Sequence, residues 1–262
     1  MTALPADYRV IEHLSSNQAL DVYDVFSEER GCRCIAKMLR PDRRDERARR
    51  RLVREGEILL GLTHPHIVRA YELVREPQLA LILETLPGMT LGRLLDDYGP
   101  LDAADLAELG GQLCSAIGYM HRRGWLHLDL KPDNVIAAGG VAKVLDLSLA
   151  RRPGPVGAGI GTRQYASPEQ VRGGEAGPAA DLWGLGAVLH AAATGHSPFR
   201  GLGEPEEKYP QLRLRAPRIV GLDPDLAGAI FACLEPAPTD RPSVPELAAV
   251  LELHADGLSA AA

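Results

Sequence analysis

Partial alternation of apolar and polar residues marks YRVIEHL (8–14) and LDVYDVF (20–26) as half-buried β-strands. CRCIAKML (32–39) is a third strand candidate. The period then changes. In RRDERARRRLVREGEILLGL (43–62), Leu52, Glu55, Leu59 and Leu62 recur at spacings of three and four, which sets them on one stripe of a helix. IVRAYELV (67–74) and LALILET (79–85) return to strand character, and Pro87-Gly88 punctuates the chain. Beyond it helical patterns dominate: AADLAELGGQLCSAIGYMHRRG (103–124), AADLWGLGAVLHAAATG (179–195) and PDLAGAIFACLE (224–235). One hairpin interrupts them. In NVIAAGGVAKVLDL (134–147), Gly139-Gly140 is a two-residue turn signal between apolar runs. Pairing outward from that turn brings Asn134 opposite Leu145 or Asp146. SPEQVRGG (167–174) and GLGEPEEKYP (201–210) read as loops. The pattern predicts an α+β chain, with a strand-rich part to residue 86 and a helical part from 87 to 255.

Composition narrows the class. The chain has 262 residues, 45% of them hydrophobic, enough for one large domain or two lobes. With 24% charged residues a disordered chain is excluded, and a net charge of -6 argues against a nucleic-acid binder. Cys32, Cys34, Cys114 and Cys233 make no metal-binding spacing and fit a reduced, cytoplasmic protein. The start, MTALPADYRV, lacks the basic and apolar stretches of a signal peptide. The longest apolar window, LWGLGAVLHAAATG, is too short to span a bilayer and suits a buried helix. The wealth of Ala, Arg, Gly and Pro suggests a GC-rich bacterial genome. The arginine run between Arg40 and Arg54 is interleaved with Asp42, Asp45, Glu46 and Glu55 and reads as a solvated helix face.

Candidate chemistry concentrates in HLDLKPDN (127–134), where Asp129, Lys131 and Asn134 lie close together. Asp146 joins Asn134 through the hairpin. A carboxylate and an amide oxygen are hard ligands that suit Mg²⁺ beside phosphate oxygens. Asp129 is placed to accept a proton from an attacking hydroxyl, and Lys131 to offset charge on a transferring phosphoryl group. Glu55 falls on the apolar stripe of its helix, where an unpaired carboxylate is costly. Lys37, on an apolar strand, is its natural partner. His127 reads as a packed core histidine.

The ordered set of motifs resembles a eukaryotic-type serine/threonine protein kinase domain of the bacterial kind, over roughly residues 8 to 253. HLDLKPDN resembles the catalytic loop, DLS (146–148) the Asp-Phe-Gly metal motif, and CIAK the third-strand lysine motif, with Glu55 its helix partner. GTRQYASPE (161–169) resembles the substrate-side loop, DLWGLG (181–186) the central buried helix, and TDRPS supplies Arg241, which in the family pairs with the residue matching Glu169. The resemblance implies a bilobal fold with an antiparallel N-lobe sheet and one main helix. It implies ATP and Mg²⁺ (or Mn²⁺) as cofactors and a protein with a Ser/Thr acceptor as partner. Asp129 would be the catalytic base, Lys131 a phosphate contact, Asn134 and Asp146 the metal ligands, and Thr162 a contact of the catalytic aspartate. The nucleotide would meet Leu14, Val22, Ile35, Lys37, Leu83 as gatekeeper, backbone groups of Glu84 and Leu86, and Ile136.

Several positions depart from the family pattern. Between Leu14 and Val22, where a glycine-rich loop is expected, Ser15, Asn17 and Leu20 stand in the glycine places. Ile35 occupies the usual alanine position unless a local shift lets Ala36 take the role. Leu147 and Ser148 replace Phe and Gly. Leu128 replaces the arginine that in the family reads an activation-segment phosphate, and residues 149–161 contain no Ser, Thr or Tyr. These two losses agree, and imply an enzyme not controlled by phosphorylation of that stretch. The alternative is a pseudokinase that binds nucleotide or serves as a scaffold.

Overall fold

The structure is a computed structural model describing residues 4–40, 45–204 and 207–255. Asp42, Arg43 and Arg44 of the arginine run and residues 205–206 of GLGEPEEKYP lie outside the described residues. The chain divides into two compact units. One comprises residues up to Pro87 together with Asp146–Ser148; the other comprises Gly88–Leu145 and the chain from Leu149 onward.

The first unit is a five-stranded antiparallel sheet with one helix. Its elements are β1 (Tyr8–Ser16), β2 (Leu20–Ser27), β3 (Cys32–Leu39), α1 (Glu46–Leu60), β4 (Ala70–Val74) and β5 (Ala80–Glu84), in sheet order β1-β2-β3-β5-β4. Strand parity assigns the faces. Val25, Cys34, Ala36, Met38, Ala80 and Ile82 point into one cluster and are completely buried. Their neighbours Ile35 and Lys37 therefore lie on the opposite face. Lys37 pairs with Val22 and Leu81 in the register, and Ile35 with Asp24 and Leu83. Ala36 is thus unable to take the place of Ile35; its methyl is core.

Helix α1 starts where the Asp45 carboxylate accepts from the Arg47 and Ala48 amides, capping two orphan donors. It buries Leu52, Ile58 and Leu59 on one side, each worth about 2 kcal/mol of hydrophobic stabilisation. Glu55 lies on that same buried stripe at 1% exposure.

The second unit is mainly helical. Strand β6 (Met89–Thr90) leads into α2 (Leu91–Tyr98) and α3 (Ala103–Arg122). The hairpin β7 (Val135–Ala138) and β8 (Val141–Val144) pairs with β6, and β9 (Gly154–Val156), α4 (Pro168–Arg172) and β10 (Gly174–Ala176) follow. Helices α5 (Pro178–Thr194), α6 (Pro224–Cys233) and α7 (Val244–Ala255) complete it. Gly139 and Gly140 both take positive φ, 56° and 77°, as a two-residue turn of this hand requires. The register Val135↔Val144 carries Asn134 opposite Leu145, whose amide donates to the Asn134 carbonyl at 2.8 Å.

Helix α5 is buried all round from Ala180 to Ala192, as its predominantly apolar sequence demands, with Asp181 and His190 buried among the apolar side chains. A methyl at Gly184 would fall 2.9 Å from Cβ of Leu130, so only glycine lets the HLDLKPDN segment rest on this helix. The SPEQVRGG segment is a correction to the loop expected from its composition. Ser167 caps α4 and exchanges hydrogen bonds with Gln170 in a capping box, Pro168 starts the first turn, and Gly174 opens β10.

Candidate active site

In the first unit the chemistry gathers round one ammonium. Nζ of Lys37 donates to both carboxylate oxygens of Glu55, at 2.9 and 2.8 Å, and to Oδ1 of Asp146 at 3.2 Å. The strand supplies the lysine, the buried stripe of α1 supplies the glutamate, and the segment after β8 supplies the aspartate. Burial pulls the Lys37 pKa down, but the facing Glu55 and Asp146 carboxylates outweigh it and hold it above the ordinary lysine value. Burial likewise works to raise Asp146, but Lys37 and the Ser148 N–H at 3.2 Å prevail and hold its carboxyl well below the usual range. Glu55 is shifted upward because complete burial outweighs its bonds to Lys37. With all three groups ionised the cluster carries one net negative charge.

Asp146 itself has φ of 56°, a left-handed backbone rare outside glycine. Leu147 beside it is fully buried, and the Arg54 guanidinium donates to the Ser148 carbonyl at 3.0 Å. The turn is therefore held by α1 from two sides, through Glu55 and through Arg54.

In the second unit Asp129 is the centre. Its Oδ1 accepts from the Thr162 hydroxyl at 2.7 Å and the Thr162 N–H at 2.8 Å. Lys131 donates to the same hydroxyl at 3.1 Å and lies 3.7 Å from Oδ2 of Asp129. The amide of Asn134 donates to the Asp129 carbonyl at 2.8 Å and to its Oδ2 at 3.3 Å, which turns Oδ1 of Asn134 away as a free hard ligand. The loop is fixed from beneath. Asp181, buried in α5, accepts from the His127 and Leu128 amides at 2.9 and 2.8 Å and contacts His121 at 2.8 Å. His127 is completely buried against the Leu145 carbonyl, a packing role as expected. Leu128, at φ of 63°, packs with Leu126, Val156, Ala176 and Ala180, with Ile160 against them. Arg241 makes a two-pronged pair with Glu169 at 2.6 and 2.9 Å.

The expected nucleotide contacts fall on defined places. Val22 and Ile35 share the Lys37 face. Leu83 and Glu84 end β5, where the Glu84 amide is taken by the Arg69 carbonyl at 2.9 Å. Leu86 is half-buried after the strand, and Ile136 is half-buried in β7. Leu14 is 48% exposed on β1. The segment with no glycine forms a hairpin in which β1 continues to Ser16, with register shifts against β2 at Val10/Glu12 and His13/Ser15, and β2 begins at Leu20. Oδ1 of Asn17 accepts from the Ala19 and Leu20 amides at 2.9 and 2.8 Å, an Asx turn. No residue of this hairpin takes positive φ, so none of its positions requires glycine.

Motif order passes over Arg54, Gln170 and Gln211. Ser-Pro-Glu-Gln, a capping-box signature, was the available signal for Gln170; nothing local marks Gln211.

The protein kinase domain model matches residues 8–250, and the chain belongs to the protein kinase family. Its relatives include the serine/threonine-protein kinase PkaA of Streptomyces coelicolor, 37% identical over 79% of this chain and 40% of that protein. The probable serine/threonine-protein kinase PkwA of Thermomonospora curvata is 32% identical over 95% of this chain and 34% of its own length. The serine/threonine-protein kinase PknB of Mycobacterium tuberculosis is 33% identical over 78% and 36% respectively. The chain thus spans well under half the length of these relatives. The family generally uses ATP with Mg²⁺. Among the described residues no helix is long and apolar enough to cross a membrane.

Proposed function

We propose that this chain transfers the γ-phosphoryl group of ATP to serine or threonine hydroxyls of protein substrates, without needing a phosphate on residues 149–161. Residues 8–86 would serve as the nucleotide-covering lobe and 87–255 as the catalytic and substrate lobe. The observation that carries the reading is the arrangement of Asp129, with Thr162 and Lys131 on its carboxylate and Asn134 bracing it from behind. Thr162 orients Oδ1, and Asp129 in turn aligns the acceptor hydroxyl and takes its proton. Lys131, already bonded to Thr162, offsets charge on the phosphoryl group. Lys37, held by Glu55, positions the nucleotide phosphates.

The donors present suit magnesium. Lys37 and Ser148 hold the Asp146 carboxyl low, which favours its ionised form, and the amide of Asn134 donates to Asp129, which leaves its oxygen as a second hard donor. Bound there, the metal would neutralise phosphate oxygens. Independence from phosphorylation rests on Leu128. A side chain packed against Val156 and Ile160 makes an apolar contact where the family places a phosphate-reading arginine.

Purified protein with labelled ATP, Mg²⁺ and a generic basic acceptor protein is expected to transfer label, and Asp129→Asn to transfer about a thousandfold less. Equal signals from the two would overturn the reading. Phosphatase pretreatment should leave the rate unchanged; loss of activity through removal of a phosphate from Thr162, the first hydroxyl after that stretch, would show that phosphorylation controls this segment after all. A nucleotide-binding scaffold is the alternative, favoured by Ser15, Asn17 and Leu20 in the hairpin. A thermal shift with ATP that magnesium does not alter, without transfer, would select it.

A further inference from the structure

Two buried glutamines brace the segment that carries Thr162: Gln170 ties it to the loop that carries Asp129, and Gln211 closes its turn. Gln170, 2% exposed, donates from Nε2 to the Leu128 carbonyl at 2.8 Å and to the Ile160 carbonyl at 3.4 Å. Its Oε1 is occupied by the Ser167 amide and hydroxyl, both at 3.1 Å, so the amide cannot turn without losing the α4 cap. Gln211, 1% exposed, lies in the tight turn Pro210–Leu212. It donates to the Arg163 carbonyl at 2.7 Å and the Ala166 carbonyl at 3.1 Å. Between those carbonyls the chain closes on itself: the Tyr165 and Ala166 amides both donate to the Thr162 carbonyl at 2.8 Å. Thr162 is the residue that grips Asp129.

Each glutamine therefore spans two backbone carbonyls that need donors in a buried place. A primary amide supplies two N–H groups without bringing a charge into the interior, as lysine would. Gly161 makes the first clamp sterically possible. It sits at φ of 94°, and a methyl there would meet both the Leu128 carbonyl and Nε2 of Gln170 at 3.0 Å. These contacts lie beside the position where Leu128 stands in place of a phosphate-reading arginine.

We propose that Gln170 and Gln211 are positioning residues, two uncharged clamps that hold the Thr162 turn in register with Asp129 and do the work a phosphorylated segment and its arginine would otherwise do. This rests on the kinase reading above and extends it to what keeps the site assembled. The clamps act on the placement of Asp129 and on the acceptor side, not on nucleotide binding.

The test measures transfer to the generic basic acceptor for the full chain and for Gln170→Met and Gln211→Met separately, alongside hydrogen exchange at the Tyr165 and Ala166 amides. Each variant should lose about tenfold in kcat, since sub-ångström misplacement of catalytic groups costs rate steeply, while KM for ATP stays within about twofold. Exchange at both amides should speed up by about tenfold. If a glutamine variant fails to fold, Gly161→Ala perturbs the first clamp without removing either amide and should show the same split. Unchanged kcat with unchanged exchange would overturn the proposal. So would a fall in kcat matched by an equal rise in KM for ATP, which marks general loosening. If the wild-type chain transfers no phosphate at all, the kinase reading falls, and the exchange rates alone decide whether the clamps hold the turn.

Discussion

The two units arm their functional residues by different physics. The first uses charge: a buried ammonium between two carboxylates, with Asp146 held in an otherwise rare backbone conformation. The second relies mainly on directed hydrogen bonds from neutral groups, Thr162, Asn134, Gln170 and Gln211, around Asp129, with the Lys131 cation beside that acid and Asp181 bracing the loop beneath. A charged network is strong but sensitive to pH and to a change of one partner, since deleting one charge strands the others. A neutral network is locally weaker, about 1 kcal/mol per bond, but indifferent to pH and additive in many small contacts. On the function proposed above, the first unit would meet a varying charge, a nucleotide and its metal, and the second would hold one geometry.

The largest effect should come from Asp129→Asn. The amide can still accept from Thr162 yet cannot take a proton, so turnover should fall by about a thousandfold with little loss of stability. Steady-state rates and thermal melts on the same preparation check it. A loss below tenfold would mean that Asp129 is not the acid on which the second unit is organised. Glu55→Ala comes next. It strands Lys37 with Asp146 as its sole carboxylate partner and should cost about 3 kcal/mol in urea unfolding, the low end for a broken buried pair because Asp146 remains. A cost under about 1 kcal/mol would show that the first unit does not depend on its charges.

The same contrast explains what could be read from the chain. The cluster of Asp129, Lys131 and Asn134 was legible because its residues are contiguous in HLDLKPDN and their chemistry is local. Glu55 was legible because a carboxylate on an apolar helical stripe has few explanations. Strand period placed β1, β2 and β3 closely. The choice between Ile35 and Ala36 stayed open until the face of β3 that meets the core was known. Helix α4 was read as loop because five residues are too few to show a period, although its capping box was visible. Gln211 was beyond reach: its partners lie 45 and 48 positions away, and no local pattern distinguishes a buried glutamine from an exposed one.

pH separates the two regions more finely. The folded pKa of Asp146 is lowered, so the stability it contributes is fully present above the unfolded aspartate value, about 3.9, and drains away as pH falls below it. The stability gap between wild type and Asp146→Asn should therefore be constant from about pH 7 to 5 and shrink below about pH 4. Lys37, raised in the fold, works in the opposite sense: its contribution is complete below about pH 10 and is lost only above it. The gap produced by Gln170→Met, about 1 to 3 kcal/mol for two donors removed from buried carbonyls, should not move across the whole range. Denaturant titrations at stepped pH check all three. A pH-dependent Gln170 gap would mean that the clamp is coupled to the charged pairs of the second unit, Lys131 with Asp129 or His121 with Asp181.

The smallest expected effect concerns the hairpin with no glycine. Its tip closes on Asn17, whose carboxamide caps two amides, and every residue there keeps negative φ. If glycine at these positions served only the backbone conformation, introducing it would gain nothing, because this hairpin has already found one without it. Asn17→Gly should then lose the Asx turn and change stability by about 0.5 kcal/mol, with KM for ATP moving less than about threefold. A large fall in KM for the glycine variant would instead mean that close backbone approach to phosphate is the missing element. The hairpin would then set nucleotide affinity, a task assigned above to the charges on Lys37 and Asp146.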